Sequence, residues 1–157
     1  MQLTQFTDYS LRALIYLARL PEPGMATIAE IADYFQISKA HLVKAANNLA
    51  NHGYIETLRG KGGGIRLARP ANSIGIGELV RITEPHTDLV ECFDMRANQC
   101  RITRGCALKG MLYESRQAFM AVLDKYTLAE AAGGGGGTAM AFFSGGGKPV
   151  EENSEES

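Results

Sequence analysis

The sequence contains no apolar run of about 18 residues, the length that a membrane-spanning helix requires, so we expect no membrane partner. Its first nine residues, MQLTQFTDY, lack a basic start followed by an apolar core, and they predict no secretory signal. Cysteine is scarce, and the three that occur are an odd number, which argues against a disulfide framework. These absences predict a cytoplasmic protein whose thiols stay reduced.

The sequence also lacks the combination of nucleophile and base that hydrolytic enzymes use. His41, His52 and His86 are scattered along the chain, and no serine lies in a G-x-S-x-G turn. The glycine-rich stretch RGKGGG at 59–64 does not have the G-x-x-x-x-G-K-[ST] frame of a phosphate-binding loop. We therefore expect that the protein is not an enzyme. One alternative is an enzyme or electron carrier that uses a metal centre. Such a protein would transfer electrons without binding DNA.

All three cysteines lie within fifteen residues of one another. Seven residues separate Cys92 from Cys100, and five separate Cys100 from Cys106. Thiolates suit both zinc and iron–sulfur clusters, and three of them leave a fourth metal position for a weaker ligand that a small molecule can displace. A zinc site with His86 as the fourth ligand is one alternative, although none of the pairs has the spacing of two to four residues typical of zinc. Three thiols without a metal are another.

Residues 1–84 have the pattern of a winged helix-turn-helix DNA-binding domain. Thr27 and Glu30 form a capping-box pattern at the start of a short helix. Ser38 is an N-cap candidate for the next helix, and Gly53 is placed to end it. The predicted fold class is mainly α with a small β-hairpin. The predicted helices cover 4–20, 28–35, 39–52 and 76–83, and two strands, at 54–58 and 65–68, flank the turn at 59–64.

The second half of the sequence predicts a loop, a long helix and a tail. The cysteine loop covers 85–106, and a helix predicted over about 104–125 makes 107–130 a dimerisation element. This helix carries a stripe at steps of four and three residues, which suits packing against a second copy; packing on its own domain is the alternative. The low-complexity segment 131–157 is predicted to be a disordered tail. The stripe consists of Leu108, Leu112, Ser115, Phe119, Val122 and Tyr126.

The distribution of charge favours a nucleic-acid partner for the first half of the chain. Residues 1–70 carry eight Lys and Arg against five acidic residues, a net charge of +3, whereas the whole chain has a net charge of −1. One face of the predicted helix 39–52 carries polar side chains that can contact base edges and phosphates. An ordinary solvated face would look the same on that helix alone, but the basic glycine-rich hairpin beside it favours DNA. The candidate DNA-binding residues are Ser38, Lys39, His41, Lys44 and Asn48 on the helix, with Asn51 on the same face, and Arg59 and Lys61 on the hairpin.

Three segments together resemble the nitric-oxide-sensing repressors of the winged-helix iron–sulfur regulator superfamily. These are the stretch LTQFTDYSLRALIYLA at 3–18, the hairpin RGKGGGIRL at 59–67 and the three-cysteine loop at 92–106. The resemblance covers roughly residues 1–130. The seven-residue gap between the first two cysteines is longer than the usual spacing of that superfamily, and the tail has no counterpart in it.

The resemblance implies a complete ligand set and a partner. A [4Fe-4S] or [2Fe-2S] cluster would be held by the three cysteines and by Asp8 of the partner subunit in a homodimer. The homodimer would repress transcription from a palindromic double-stranded operator and release it when nitric oxide attacks the cluster. From the residues alone, an acid in the first turn of a helix is explained equally well by the helix dipole. Two alternatives are also transcriptional regulators. One is a sensor of iron–sulfur status or redox stress, and the other is a zinc-containing DNA-binding protein.

Overall fold

The structure is a computed structural model, and it describes residues 2–21 and 24–133. Most of the segment predicted as a disordered tail, 134–157, lies outside the described residues. The predicted order of helices and strands is confirmed, with two additional short elements. The elements are α1 Gln5–Arg19, β1 Met25–Ala26, α2 Ile28–Phe35, α3 Lys39–Asn51, β2 Ile55–Leu58, β3 Gly64–Leu67, α4 Ile76–Thr83, α5 Ala107–Leu123 and α6 Leu128–Ala131.

Local capping interactions explain where α2 and α3 begin and end. Thr27 and Glu30 form the predicted capping box, and hydrogen bonds from the Thr27 backbone and side chain lower the pKa of Glu30. Ser38 occupies the predicted N-cap position of α3, but its side chain makes no capping hydrogen bond there. After α3, Gly53 takes a φ of 72°, a left-handed conformation that favours glycine. The helix-turn-helix boundaries therefore follow from the sequence.

The predicted hairpin is part of a three-stranded antiparallel sheet in the order β1-β3-β2. The sequence did not indicate β1, whose Met25 and Ala26 pair with Arg66 and Ile65 of β3. A Cβ atom at Gly64 would lie 2.6 Å from the Ala26 carbonyl oxygen, so this close pairing requires glycine at the start of β3. The strand β1 therefore fixes the hairpin against the helical core.

The core of the domain is formed by α1, α2, α3 and α4, closed by the sheet and by α6. The apolar face of α3, formed by Leu42, Ala45, Ala46 and Leu49, is buried in this core. Leu128 of α6 is also fully buried, and Thr127 and Glu130 form a second capping box that begins this helix. The largest buried apolar side chains are Leu14, Ile31, Leu42, Leu49, Ile74, Leu79 and Leu128.

The long helix α5 projects from this domain and is joined to it mainly near its end. It begins at Ala107, three residues later than predicted, because 103–105 form a separate 3₁₀ turn. Met120 is the buried residue of α5. Just beyond the helix, Asp124 makes a bidentate ion pair with Arg81 of α4, both distances being 2.6 Å. Among the described residues, no helix combines the length and the apolar character that crossing a membrane would need.

Candidate metal centre and nucleic-acid interface

The exposed face of α3 presents most of the side chains predicted to contact DNA. Ser38, Lys39, His41 and Lys44 are exposed to solvent at the start and along the first half of the helix. Asn48 differs, since it is half-buried and its Oδ1 atom is buried without a hydrogen-bond partner among the described residues. The helix therefore offers cationic and imidazole groups to a DNA groove more readily than it offers the Asn48 carbonyl.

The tip of the hairpin carries the two predicted wing residues. Arg59 and Lys61 are exposed, and each is next to a glycine with positive φ, 106° at Gly60 and 80° at Gly62. Within the described part of the chain, neither side chain pairs with a carboxylate. By contrast, Arg66 further down the hairpin is neutralised by Glu56. The charges at the tip are therefore available to a phosphate backbone.

The first turns of α1 lie against α3. The ring of Tyr9 stacks on His41, with centroids 6.2 Å apart and planes inclined by 27°. Thr4, Gln5, Phe6, Tyr9, His41 and Lys44 line a cavity of about 430 Å³ between the two helices. The turn of α1 that carries Asp8 is thus in direct contact with a predicted DNA-binding residue.

The cysteine loop is partly ordered by its own polar groups. Asn98 Oδ1 accepts a hydrogen bond from the Cys100 backbone N–H at 3.0 Å, and Thr103 Oγ1 donates to the Cys100 carbonyl at 2.8 Å. Cys106 is the N-cap residue of α5, where the free N–H groups of the first helical turn favour an anionic ligand. The two hydrogen bonds fix the Cys100 end of the segment between the second and third cysteines.

The three cysteines form no disulfide, and their burial differs. Cys92 is 7% exposed, whereas Cys100 and Cys106 are half-buried. Across the described ranges, no three His, Cys, Asp or Glu side chains are grouped so that they could hold a metal ion. The donor set has the chemistry that a cluster needs, three free thiols on one loop, but a single chain does not gather them. Binding a cluster through all three thiols would require the loop to rearrange.

The two candidates for a fourth ligand are placed differently. His86 is exposed at the start of the cysteine loop, where it lines a cavity of about 420 Å³. Asp8 forms an ion pair at 2.8 Å with Arg12, one turn later in α1. Both Asp8 and Arg12 are half-buried, so the pair itself adds little to stability. To reach a metal, the Asp8 carboxylate would have to exchange Arg12 for the new partner.

Sequence reasoning missed Glu84, the residue that ties the beginning of α1 to the beginning of the cysteine loop. Its Oε2 atom accepts hydrogen bonds from Thr4 N at 3.0 Å, from Thr4 Oγ1 at 3.2 Å and from Thr7 Oγ1 at 2.7 Å. Thr7 is completely buried. Because these partners lie about 80 positions apart in the sequence, no local pattern signals the contact. The Asp8 turn therefore has an anchor at Glu84, the residue immediately before the cysteine loop.

The stripe predicted on α5 is largely uncovered. Leu108 is 58% exposed and Met111, beside the stripe, is 61% exposed. Val122 and Tyr126 are about half exposed, while Phe119 is half-buried. Large apolar side chains that follow one another along a projecting helix are typical of a protein–protein contact surface.

Comparisons with known proteins agree with one another. The profile of the Rrf2 family, described as an iron-dependent transcriptional regulator, matches residues 3–133. The HTH-type transcriptional regulator NsrR of Bacillus subtilis (strain 168) is 50% identical over 130 residues, covering 83% of this chain and 89% of the relative. The regulator of the same name from Shouchella clausii (strain KSM-K16) is 45% identical over 130 residues, covering 83% and 87%.

Solved structures show the same architecture. The structure of CymR (YrzC), the global cysteine regulator of B. subtilis, superposes with a TM-score of 0.68 at 25% identity, covering 84% of this chain and 96% of CymR. The structure of T. potens IscR superposes with a TM-score of 0.67 at 21% identity, covering 89% of this chain and 96% of IscR. The two proteins therefore share a fold. The predicted winged-helix architecture is confirmed by these likenesses.

Proposed function

Because the chain belongs to the Rrf2 family, we propose that it is a homodimeric transcriptional repressor that binds a palindromic operator while it holds an iron–sulfur cluster and releases the operator when nitric oxide attacks that cluster. One observation carries the proposal: the three-cysteine loop and the winged helix occur in one chain that is 45% and 50% identical to two NsrR regulators over 130 residues. The nitric-oxide step follows the resemblance to that branch of the family. Operator binding measured with nitric oxide, oxygen or a chelator distinguishes nitric oxide from the alternative effectors.

DNA binding is assigned to α3 and to the wing formed by β2, β3 and their turn. Lys39, His41 and Lys44 would enter or border the major groove, where the N-terminal residues of a recognition helix contact bases. Arg59 and Lys61 would neutralise phosphates or follow the minor groove beside it. Two copies of α3 in a dimer would read two half-sites about one helical turn, or a multiple of it, apart.

The cluster ligands are assigned to Cys92, Cys100 and Cys106 of one subunit and to Asp8 of the other. A bound cluster supplies iron atoms to which nitric oxide can bind. Asp8 is the weak point of this ligand set, because a carboxylate oxygen is a poorer ligand for cluster iron than thiolate sulfur. When Asp8 leaves the metal, Arg12 is the partner already placed to receive its carboxylate at 2.8 Å.

The path from the metal centre to DNA runs through α1. Asp8 precedes Tyr9, whose ring stacks on His41 of the recognition helix. Thr4 and Thr7 hold the same turn against Glu84, where the cysteine loop begins. Exchange of the Asp8 partner would move this turn, and with it the position of α3 relative to its copy in the dimer. The apolar surface of α5 is the proposed dimer contact.

The proposal is tested by operator binding of the anaerobically prepared full-length protein. The probe is a duplex recovered from a random-sequence pool by the wild-type protein. Nitric oxide, oxygen and an iron chelator are added in separate experiments while binding and visible absorption are recorded. We expect nitric oxide to release the duplex at concentrations where oxygen does not. Equal responses to all three would favour a sensor of iron–sulfur status or redox stress, and a colourless zinc protein that binds the duplex would overturn the cluster assignment.

Ligation across the subunit interface is tested with mixed dimers. One subunit carries Asp8→Ala and the other carries Cys92→Ala, so that only one complete ligand set can form if Asp8 crosses the interface. We expect at most one cluster with a complete ligand set in each mixed dimer. If Asp8 serves its own subunit, both ligand sets are defective. The matched control is a mixed dimer of a wild-type subunit with a subunit that carries both substitutions. This dimer has no complete ligand set if Asp8 crosses the interface, and it has one complete ligand set if Asp8 serves its own subunit.

A further inference from the structure

Tyr54 is a junction between three parts of the DNA-binding domain. Its backbone N–H donates to the Leu49 carbonyl of α3 at 2.9 Å, and its own carbonyl accepts from the Ala68 N–H, just after β3, at 2.9 Å. Its phenol O–H donates to Glu78 Oε1 in the first turn of α4 at 2.5 Å. The residue is only 2% exposed, so the ring is held in one place by packing. The helix α3, the hairpin and α4 therefore meet at one residue, through its backbone and its side chain.

Arg69 completes this junction from the end of the hairpin. Its guanidinium carbon lies 4.4 Å from the centre of the Tyr54 ring, and Nη2 lies 3.1 Å from Glu78 Oε1. The hydrogen bond from Tyr54 and the contact with Arg69 lower the pKa of Glu78, while burial and the Glu78 carboxylate raise the pKa of Tyr54 to about 12. At neutral pH the phenol is thus a donor and the carboxylate an acceptor, so the junction does not switch with physiological pH.

The base of the wing controls the position of its tip. The hairpin extends four residues from Ile55 to Leu58, which spans about 13 Å at about 3.3 Å per residue. A rotation of about 10° at the base would move the tip by roughly 2 Å, enough to break a hydrogen bond or ion contact to phosphate. The short strand β1 and the core side chains Ile55 and Ile65 also hold the hairpin.

We propose that Tyr54 and Glu78 are positioning residues for the DNA-binding wing: their hydrogen bond fixes the angle of the hairpin, and so the reach of Arg59 and Lys61, relative to α3. The inference rests on the proposed function, because it presumes that the wing contacts DNA. It goes beyond that function by assigning a role to two residues that are not among the proposed DNA contacts or cluster ligands. Arg69 supports the pair from the hairpin side.

The test compares single and combined variants of the full-length, cluster-loaded protein on the duplex selected by the wild type. Tyr54→Phe removes only the phenol oxygen and keeps the buried ring, and Glu78→Gln removes the negative charge that strengthens the hydrogen bond from Tyr54 and the contact with Arg69. Glu56→Gln is the matched control, since it also removes one exposed carboxylate, but from an ion pair within the hairpin that does not reach α4. Arg59→Ala/Lys61→Ala measures the wing contribution directly. Thermal unfolding checks that each variant is folded.

We expect Tyr54→Phe and Glu78→Gln to weaken binding and to reduce the slope of log affinity against log salt, by about 0.9 for each phosphate that the wing no longer neutralises, whereas Glu56→Gln leaves the slope unchanged. Adding Arg59→Ala/Lys61→Ala to Tyr54→Phe should then weaken binding less than it does in the wild type, because both changes remove the same phosphate interactions. Additive effects on the binding free energy, or a wild-type slope in both junction variants, would overturn the inference and leave the proposed function standing. If Arg59→Ala/Lys61→Ala itself changes nothing, the wing's role in the proposed function fails first.

Discussion

Replacing Thr7 by Val isolates the contact that anchors the Asp8 turn to the cysteine loop. Thr7 is completely buried, and its hydroxyl donates to Glu84 Oε2 at 2.7 Å. Valine has nearly the same shape, so the substitution leaves no cavity; it removes the hydrogen bond to Glu84 together with the 3.1 Å contact between the Thr7 and Thr4 hydroxyls. The two hydrogen bonds from Thr4 to the same oxygen, at 3.0 and 3.2 Å, stay in place. The carboxylate therefore loses one of three donors.

The expected magnitude follows from these contacts. A hydrogen bond to a charged group stabilises a folded protein by about 1.5–3 kcal/mol, and the extra buried methyl group of valine offsets about 0.8 kcal/mol of that. We expect Thr7→Val to lower the free energy of unfolding by roughly 1–2 kcal/mol, and Tm by about 3–6 °C at a fixed protein concentration. The assay is urea and thermal unfolding of the cluster-free protein at neutral pH.

Ser10→Ala is the matched control in the same helix. Ser10 is also completely buried, but its hydroxyl donates to the neutral carbonyl of Phe6 at 2.7 Å, one turn earlier in α1. Such a bond contributes little to stability, and alanine is the better helix former, so the net change should stay within about 0.5 kcal/mol. If Thr7→Val is no more destabilising than Ser10→Ala, the Glu84 contact is not the anchor that the geometry suggests.

Three further predictions concern other parts of the molecule. Gly77→Ala should destabilise the protein by about 1–3 kcal/mol in urea unfolding, because the new Cβ would overlap the Asp124 carboxylate and lie 3.1 Å from its backbone nitrogen; a stabilised variant would refute this. Thr27→Ala should lower the free energy of unfolding by about 1 kcal/mol at pH 7. The fold lowers the pKa of the Glu30 carboxyl. Its capping interaction therefore stabilises the protein fully above the pKa that Glu30 has in the unfolded chain, and this stabilisation declines as the pH falls through the pKa in the folded protein. An undiminished effect of Thr27→Ala at pH 3 would contradict this. Asp8→Ala should alter the visible absorption of the holo-protein and weaken operator binding together, and a spectrum indifferent to the change would exclude Asp8 as a ligand.

The boundaries of the main helices could be predicted because their signals are local. The Thr27–Glu30 box begins α2, Gly53 follows the end of α3, and Pro85 follows α4, so each boundary depends on one or two neighbouring residues. Ser38 shows the limit of such signals, since its position is correct but its side chain does not cap the helix. A residue type fixes where a helix can start, while the hydrogen bond depends on the side chain's surroundings.

The elements that the sequence did not reveal depend on distant contacts or are very short. The strand β1 has two residues, too few for an alternating pattern, and it exists because Gly64 lets β3 approach. The helix α6 is a single turn in an alanine- and glycine-rich region, although the Thr127–Glu130 spacing repeats the capping pattern that was recognised at α2. The Glu84 contact joins positions about 80 residues apart, and no local pattern encodes such a pairing.

The candidate site could be predicted in its residue types but not in its assembly. Three cysteines on one loop indicate thiolate chemistry at once, yet the described residues of one chain do not gather them around a metal position. The assignment of Asp8 came from resemblance, and the structure adds the partner, Arg12, that holds its carboxylate in the single chain. Ligation therefore stays a prediction that depends on the loop's rearrangement and on the second subunit.

The most direct test of cluster-dependent repression is operator binding measured as a function of cluster content. Protein prepared anaerobically is loaded to graded extents, iron and acid-labile sulfide are determined for each sample, and affinity for the selected duplex is measured at one salt concentration. We predict that iron and sulfide rise together, that high-affinity binding rises in proportion to them, and that Cys92→Ala, Cys100→Ala and Cys106→Ala abolish both. Full operator affinity in protein that contains no sulfide would contradict cluster-dependent repression.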